Sequence, residues 1–372
     1  MAGIYIHIPF CKQACSYCSF HFSTVLTRKS DMIHAILQET AQRKFYLQNQ
    51  PISSIYFGGG TPSILDTKEL LQLFDGLYQN FEVLEDAEIT LEANPDDLSK
   101  SKLKELRQTP INRLSIGVQS FFEVDLRFMN RAHSAKEAKE SILLAQDMGF
   151  HQLNMDLIFG AQTTSNQMWE ENLLQFFELD IPHLSAYSLT VEENTLIANQ
   201  IKKGKIKALD DEKSYWQYIR LQELIKAHGF EQYEVSNYCK NQQYAKHNTS
   251  YWQGKGYLGL GPSAHSFNKN SRQWNISNNA LYIKNLKEGK EYFEVEMLSE
   301  TDRYHELLIM SLRTKWGIKF ADLHAFSKLI ISHFYESLKR IPKEKIILKE
   351  DSLKVNPSYL FQSDEIIRKL ML

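Results

Sequence analysis

The stretch IYIHIPFCKQACSYCSF, residues 4–20, joins an alternating β-branched run to three cysteines in a CxxxCxxC spacing. The alternation over residues 4–8 predicts a β-strand, and Cys11, Cys15 and Cys18 fall in the loop that follows it. Three thiolates this close together can bind three irons of a four-iron, four-sulfur cube, which leaves the fourth iron open to a substrate. The spacing therefore predicts a [4Fe-4S] cluster with one open coordination position.

Two other chemistries for these cysteines fit less well. A zinc site normally has a fourth Cys or His at matching spacing, and a disulfide needs an oxidising compartment. The only other cysteine, Cys239, is far along the chain, and no secretory signal precedes the motif. We therefore favour the open cluster over zinc or unpaired structural thiols.

Composition sets the class of protein. A chain of 372 residues with 43% hydrophobic residues can bury a sizeable core, and its 43 basic and 45 acidic residues give no nucleic-acid-binding tail. No apolar stretch approaches the length of a membrane span, and the N-terminal sequence has neither a basic region nor a cleavage site. We expect a cytoplasmic protein, in which thiols stay reduced.

Strand and helix patterns alternate through the first half of the chain. The predicted strands after the first end near Gly58, Glu92, Gln119, Asp156 and Ser188, and the helical patterns cover residues 31–47, 99–108, 135–148 and 167–179. Six such units in a row predict a partial (β/α)6 TIM-like barrel, with its chemistry at the carboxyl ends of the strands. An open doubly wound sheet is the alternative that the pattern leaves.

The composition and the periodicity of the sequence change twice after the barrel. We place the barrel at residues 1–230 and an aromatic and glycine-rich segment that packs on it at residues 231–298, within which residues 233–267 are predicted to form short strands and loops. Residues 299–372 begin with a Ser-x-x-Asp helix cap and combine helices with a short hairpin, which predicts a mostly helical, winged-helix-like domain.

The strand ends carry groups suited to a zwitterionic ligand. An open cluster iron can chelate the amino and carboxylate groups of S-adenosylmethionine. Glycines 58–60 let the backbone approach such a ligand closely, Glu92 and Asp156 can accept its hydrogen bonds, and Arg131 can pair with a carboxylate. Each of these, taken singly, is also compatible with an ordinary turn or cap.

Five motifs, YIHIPFCKQACSYC, YFGGGTPS, LEANPDD, NRLSIGVQSF and NMDLIFGAQT, resemble the radical S-adenosylmethionine family of oxygen-independent coproporphyrinogen III oxidases and their haem-chaperone relatives. The resemblance covers nearly the whole chain and implies that the three cysteines hold the cluster. It further implies that the S-adenosylmethionine pocket is lined by Tyr5, Gly59, Gly60, Thr61, Glu92, Gln119, Arg131 and Asp156. Ser188 and His265 fall where this family places further pocket residues, although its motif is looser there.

The branch of the family is indicated by two departures from the oxidases. The oxidases have a fourth cysteine two residues after the third, where this chain has Phe20, and they carry a longer arm before the cysteines. HNTSYW, residues 247–252, is similar to the HNxxYW signature of the haem chaperones. An imidazole can ligate haem iron, so the resemblance implies that His247 binds haem, whereas a buried structural histidine is the alternative.

The resemblance implies a haem chaperone that carries a [4Fe-4S] cluster, S-adenosylmethionine and haem. Its expected partners are haem-acceptor proteins such as respiratory enzymes and an electron donor for the cluster, with no nucleic acid. Whether the chain forms a homodimer is left open. The alternatives are an oxygen-independent coproporphyrinogen III oxidase, against which the missing fourth cysteine counts, and a radical enzyme with another substrate.

Overall fold

Six parallel strands in chain order carry the first half of the fold, which the computed structural model describes over residues 1–372. Each strand pairs with the one before it along the chain. Their bounds are β1 (Ala2–Ile8), β2 (Ile52–Gly59), β3 (Val83–Ala93), β4 (Arg113–Gln119), β5 (Gln152–Phe159) and β6 (His183–Ser188). The predicted run of six strand-and-helix units is confirmed.

Helices connect these strands and bury one apolar stripe each. Helix α2, for example, buries Leu70, Leu73, Phe74 and Leu77 at helical spacing, and its N-terminus is closed by a capping box between Asp66 and Glu69. The bounds are α1 (Lys29–Gln42), α2 (Thr67–Asn80), α3 (Lys100–Leu106), α4 (Glu123–Phe128), α5 (Ala135–Asp147), α6 (Asn166–Glu178), α7 (Leu196–Lys202) and α8 (Asp211–Ala227).

Strand β1 has two different faces, as its alternation predicts. Ile4, Ile6 and Ile8 are buried in the main core, and each contributes about 2 kcal/mol by burial. Tyr5 and His7 point the other way, into the barrel interior, where the Tyr5 ring stacks on the ring of Tyr56. The first strand therefore contributes polar side chains to the barrel interior.

Residues after the barrel extend the same sheet at both edges, so the barrel stays open. The strands are β7 (Glu231–Gln232), β8 (Asn237–Cys239), β9 (Tyr257–Leu260), β10 (His265–Phe267), β11 (Ser271–Asn275) and β12 (Phe293–Met297), and the helices are α9 (Lys246–Trp252) and α10 (Asn279–Glu288). Strand β8 pairs antiparallel with β6, whereas β9 pairs parallel with β1 on the side away from β2.

Helix α9, which contains the HNTSYW motif, lies against β1, β2 and the start of β3 at the amino-terminal end of the barrel. The backbone N–H groups of Lys246 and His247 each donate to the carboxylate of Glu88 at 2.9 Å. Glu88 in turn lies 3.8 Å from Nε of Arg113. The prediction of only strands and loops in this segment is wrong here, because seven residues are too few to display a helical period.

The last part of the chain has its own apolar cluster, which extends from Tyr304 to Leu370. It contains α11 (Glu300–Leu312), β13 (Ile318–Lys319), α12 (Lys328–Leu338), β14 (Ile346–Leu348), β15 (Ser352–Val355) and α13 (Ser363–Leu370). The predicted cap is present, since Ser299 and Asp302 form a capping box. The three strands form a small antiparallel sheet, and the winged-helix likeness stays a prediction.

None of the thirteen helices combines the length and the apolar content that a membrane span requires.

A buried carboxylate joins α1 to the β9–β12 extension. Glu39 accepts hydrogen bonds from the backbone N–H of Gly261 and from Nδ2 of Asn275, both at 2.8 Å, and from the hydroxyl of Tyr282. Arg43 lies 3.3 Å away as its countercharge. Every partner except Arg43 comes from the extension, so Glu39 fastens the sheet edge to the barrel.

Glu39→Ala should therefore lower the free energy of unfolding by about 3–5 kcal/mol, because it leaves Arg43 and several polar groups buried and unpaired. Urea unfolding at constant m-value measures the change. Glu140→Ala is the matched control, since Glu140 is exposed in an ion pair with Lys136 and its loss should cost under about 0.5 kcal/mol. A similar cost for both variants contradicts the assignment.

Candidate functional site

The carboxyl ends of β1–β6 open onto a cavity of about 490 Å³, which we call the cluster cavity. It is where a parallel barrel places its chemistry. The structure brings together here most of the residues singled out from the sequence: Cys11, Cys15, Cys18, Gly59, Gly60, Thr61, Glu92, Gln119, Arg131, Asp156 and Ser188.

The three thiols line this cavity without forming a ready-made site for a single metal ion, since no three Cys, His, Asp or Glu side chains in the structure converge in that way. In a four-iron cube each thiol binds a different iron, so the sulfurs need not meet at one point. Burial raises the pKa of Cys11 to about 11 and also raises that of Cys18. Both are thiols at neutral pH until metal displaces the proton. The donor set fits a cluster.

Arg131 stands beside the thiols with a fixed guanidinium. Its Nη1 donates to Sγ of Cys15 at 3.2 Å, and its Nη2 donates to Oδ1 of Asn94 at 2.6 Å and to the carbonyl of Gly117 at 2.7 Å. Its Nε is buried without a partner. The guanidinium lines the cavity as a fixed positive charge, which is compatible with the carboxylate-pairing role implied by the sequence.

The triple-glycine turn is packed directly against the start of the cysteine loop. Gly59 has a φ of +106°, and a side chain there would meet the ring of His7 at 2.5 Å. A side chain at Gly60 would meet the carbonyl oxygen of Phe10 at 2.5 Å. The N–H of Thr61 donates to that same carbonyl at 2.7 Å. Only glycines allow this approach, which fixes the cavity wall next to Cys11.

Two carboxylates lie in the cavity with raised pKa values. Glu92 accepts from the hydroxyl of Tyr56 at 2.8 Å and from the N–H of Gly59 at 3.2 Å, and burial raises its pKa to about 7. Asp156 accepts from Nδ2 of Asn154 at 2.7 Å, and burial raises its pKa to about 6. Gln119 ends β4 with a left-handed φ of +67°, a strained conformation typical of functional sites. The cavity thus offers acceptors for hydroxyl and ammonium groups.

Tyr5 and His265, which the sequence places in the same pocket, lie outside the cluster cavity. They line a second cavity of about 310 Å³, which we call the histidine cavity; its lining is Tyr5, His7, Ser19, Phe20, His21, Tyr251, Tyr257, Ser263 and His265. The two cavities are neighbours, because Ser19 and Phe20 line both.

His247 lies in neither cavity. It is 1% exposed, with Nδ1 hydrogen-bonded to the hydroxyl of Ser54 at 2.9 Å and Nε2 to the hydroxyl of Tyr251 at 2.8 Å. Both ring nitrogens are therefore occupied, and iron can reach them only if α9 moves. The assignment of His247 as a haem ligand stays a prediction.

The motif is nonetheless connected to the cluster cavity through one tyrosine. The His247 ring stacks on Tyr56, with centroids 5.1 Å apart and planes at 26°. The hydroxyl of Tyr56 holds Glu92. One packed ring and one hydrogen bond therefore join helix α9 to the carboxyl group of Glu92.

Several lining residues escaped the sequence analysis. Asn94 orients Arg131 and Tyr187 adjoins Ser188, and both sit at strand ends within or beside segments that were already singled out. Their position at the end of a strand is the feature of the sequence that could have identified these two residues. Phe20, which is exposed, and Phe22, which is half-buried, form an aromatic part of the lining, and nothing in the sequence indicated it beyond the departure from the oxidase spacing.

Comparison with known proteins agrees with this geometry. Residues 5–175 match the profile of the radical SAM superfamily. The chain is 32% identical over 358 residues to the heme chaperone HemW of Bacillus subtilis (strain 168), covering 95% of this chain and 94% of the relative. Identity to heme chaperone HemW of Escherichia coli (strain K12) is 36% over 266 residues, or 71% of this chain and 69% of the relative.

A solved structure has the same fold. Coproporphyrinogen III oxidase (HemN) from Escherichia coli, a radical SAM enzyme, superposes with a TM-score of 0.85 over 99% of this chain and 89% of its own, at 22% sequence identity.

An open parallel barrel with a CxxxCxxC loop beside a glycine turn, an arginine and two carboxylates defines a radical SAM protein. The family implies a [4Fe-4S] cluster and S-adenosylmethionine, and the residues of the cluster cavity fit both. Within that superfamily, the chain belongs to the HemW family.

The raised pKa of Glu92 gives S-adenosylmethionine binding a pH dependence. Affinity should fall as pH drops through about 7, because the protonated carboxyl no longer attracts a cation. Glu92→Gln should bind about tenfold more weakly at pH 8 and lose the step near pH 7, keeping only the fall near pH 6 that comes from Asp156. Equilibrium dialysis with labelled ligand and cluster-loaded protein measures this. Glu193→Gln, at an exposed position outside the cavity lining, is the control and should behave as the wild type.

The same substitution should stabilise the ligand-free protein at high pH. The folded pKa of Glu92 lies above its ordinary value, so protonation favours the folded state, and that contribution is lost as pH rises through about 7. Glu92→Gln should thus gain about 3 kcal/mol at pH 8 and nothing at pH 4. The same difference in unfolding free energy between Glu92→Gln and the wild type at both pH values would refute the assignment.

Tyr56→Phe tests the link from α9 to the cavity. It removes the hydrogen bond that lowers the pKa of Glu92 but keeps the ring stacked on His247, so the pH midpoint for S-adenosylmethionine binding should move upward. The same dialysis at several pH values measures the midpoint. The control is Tyr78→Phe, at an exposed position on α2. An unchanged midpoint in Tyr56→Phe contradicts the link.

Proposed function

We propose that this protein is a cytoplasmic haem chaperone that binds haem and passes it to haem-requiring acceptor proteins. The observation that carries the proposal is the similarity to heme chaperone HemW along almost the full length of both chains. The HNTSYW motif and Phe20 at the position of the oxidases' fourth cysteine support the same branch.

Cys11, Cys15 and Cys18 would hold the [4Fe-4S] cluster of this chaperone. Arg131, Glu92, Asp156 and the turn at residues 58–61 would hold S-adenosylmethionine beside it. When bound, the cluster supplies an electron that can cleave the sulfonium. The protein contributes fixed polar groups, since the guanidinium and both carboxyl groups are already held by hydrogen bonds.

The proposed partners are haem-acceptor proteins, among them respiratory enzymes, and an electron donor for the cluster. The oxidase shares the fold of this chain, and fold similarity does not transfer a reaction. Phe20 replaces the fourth cysteine and is 71% exposed, so no sulfur occupies that place. Decarboxylation of coproporphyrinogen is therefore an outcome of the test below and not part of the proposal.

The test is an anaerobic titration of cluster-loaded protein with haem, followed by difference absorption against the same protein without haem. We expect saturable binding of about one haem per chain, and transfer of that haem to a haem-free acceptor domain separated by a membrane filter. The His247→Ala variant, titrated alongside, tests the assignment of the iron ligand.

Bovine serum albumin loaded with haem serves as the control for passive transfer, which should be slower than transfer from this protein. Absence of saturable binding overturns the proposal. Conversion of coproporphyrinogen III under reducing conditions, with S-adenosylmethionine present, would replace it with the oxidase.

A further inference from the structure

The histidine cavity is lined by uncharged groups. Three imidazoles, three phenols, one phenyl ring and two hydroxyls face it, and no Asp, Glu, Lys or Arg does so. Ordinary ligand sites for anions or cations of metabolites have at least one countercharge, and this cavity has none. Its chemistry suits a flat apolar ligand whose charges remain in solvent.

The histidines of this cavity differ in whether a ring nitrogen is free. His7 uses both, with Nδ1 near the hydroxyl of Tyr5 at 3.1 Å and Nε2 at 2.8 Å from the carbonyl of His21. His21 uses Nε2 on Oδ1 of Asn279 at 2.7 Å. His265 is exposed at the rim and has no side-chain hydrogen bond.

The His265 ring is also in the right protonation state to donate a lone pair. Partial burial, together with the charge of Arg272, lowers the pKa of His265 below its ordinary value. A neutral imidazole is the form that ligates metals. His247, by contrast, has no unoccupied nitrogen.

From this arrangement we infer that haem binds in the histidine cavity and that His265 supplies the axial ligand to its iron. The inference rests on the proposed haem binding and names its site. It assigns the iron ligand to the open rim beside the cysteine loop and not to the buried helix α9.

A bare metal ion fits the cavity less well than a metal in a macrocycle. No three potential ligands converge there, although three histidines line it. A haem brings four nitrogen ligands of its own and needs one imidazole from the protein. One exposed imidazole among aromatic walls is therefore sufficient, and His265 is the exposed histidine of this lining.

The aromatic residues of the lining provide apolar surface. The rings of Tyr251 and Tyr257 meet edge to face at 4.5 Å on one side of the cavity. Phe20 lies on the wall that both cavities share and has no apolar cover. An exposed aromatic ring beside an uncharged cavity indicates a ligand that covers it.

The HNTSYW motif then has a role that its buried histidine can perform. Nε2 of His247 holds the hydroxyl of Tyr251, and Tyr251 forms part of the cavity wall. His247 is thus a positioning residue for the haem site. Its substitution should weaken haem binding without removing the axial imidazole.

The experiment is a haem titration of the full-length, cluster-loaded wild type and of His265→Ala, with resonance Raman spectra of the bound haem. We expect about tenfold weaker binding in His265→Ala and loss of the iron–imidazole signature, both restored by added imidazole. His151→Ala, at an exposed histidine before β5, is the matched control and should match the wild type.

Each other outcome has a separate meaning. If His265→Ala keeps the wild-type affinity and iron–imidazole signature, the inference is overturned. Loss of that signature in His247→Ala instead would make His247 of α9 the iron ligand. If the wild type itself shows no saturable binding, the proposed function fails first. Should His265→Ala be unstable, His265→Gln replaces it, since glutamine fills the rim without a nitrogen lone pair.

Discussion

The carboxylate of Glu88 organises the inside of this barrel. It caps the short helix α9 by accepting its first two backbone N–H groups, and it faces Arg113 across the interior. A helix of seven residues has too few internal hydrogen bonds to persist alone, so this cap decides whether it forms. His247, which stacks on Tyr56, and Tyr251, which borders the histidine cavity, take their places from that helix.

The two cavities share a wall, and this proximity is built into β1. Tyr5 and His7 point from this strand into the interior, and the ring of His7 packs against Gly59 of the glycine turn. The cysteine loop continues from the same strand and supplies Ser19 and Phe20 to both cavities. A ligand in either cavity thus touches the loop that carries the cluster ligands. One strand and its loop therefore contribute to the walls of both cavities.

The barrel and most of the cluster cavity were predictable from sequence because they follow local rules. Strand alternation and polar residues at strand ends found Glu92, Gln119 and Asp156, and cysteine spacing found the loop. Helix α9 was not predictable, since its N-terminus is stabilised by Glu88, more than 150 residues earlier in the chain. The separation of Tyr5 and His265 from the other pocket residues was equally hidden. Both depend on how β9 and β10 pack beside β1, and pairing across such distances leaves no local pattern.

The pairing of β1 with β9 has a consequence for biosynthesis. Strand β1 acquires its second neighbour only when residues 257–260 emerge from the ribosome, after all six barrel strands have been made. Until then the edge of β1 is unpaired. Glu88 and Arg113 likewise stay uncovered until α9 emerges. Contacts of such high sequence separation make folding slow and leave nascent edges exposed to aggregation. The sheet is therefore completed late beside the very strand that precedes the cluster loop, and the cysteines leave the ribosome long before that strand has both of its neighbours.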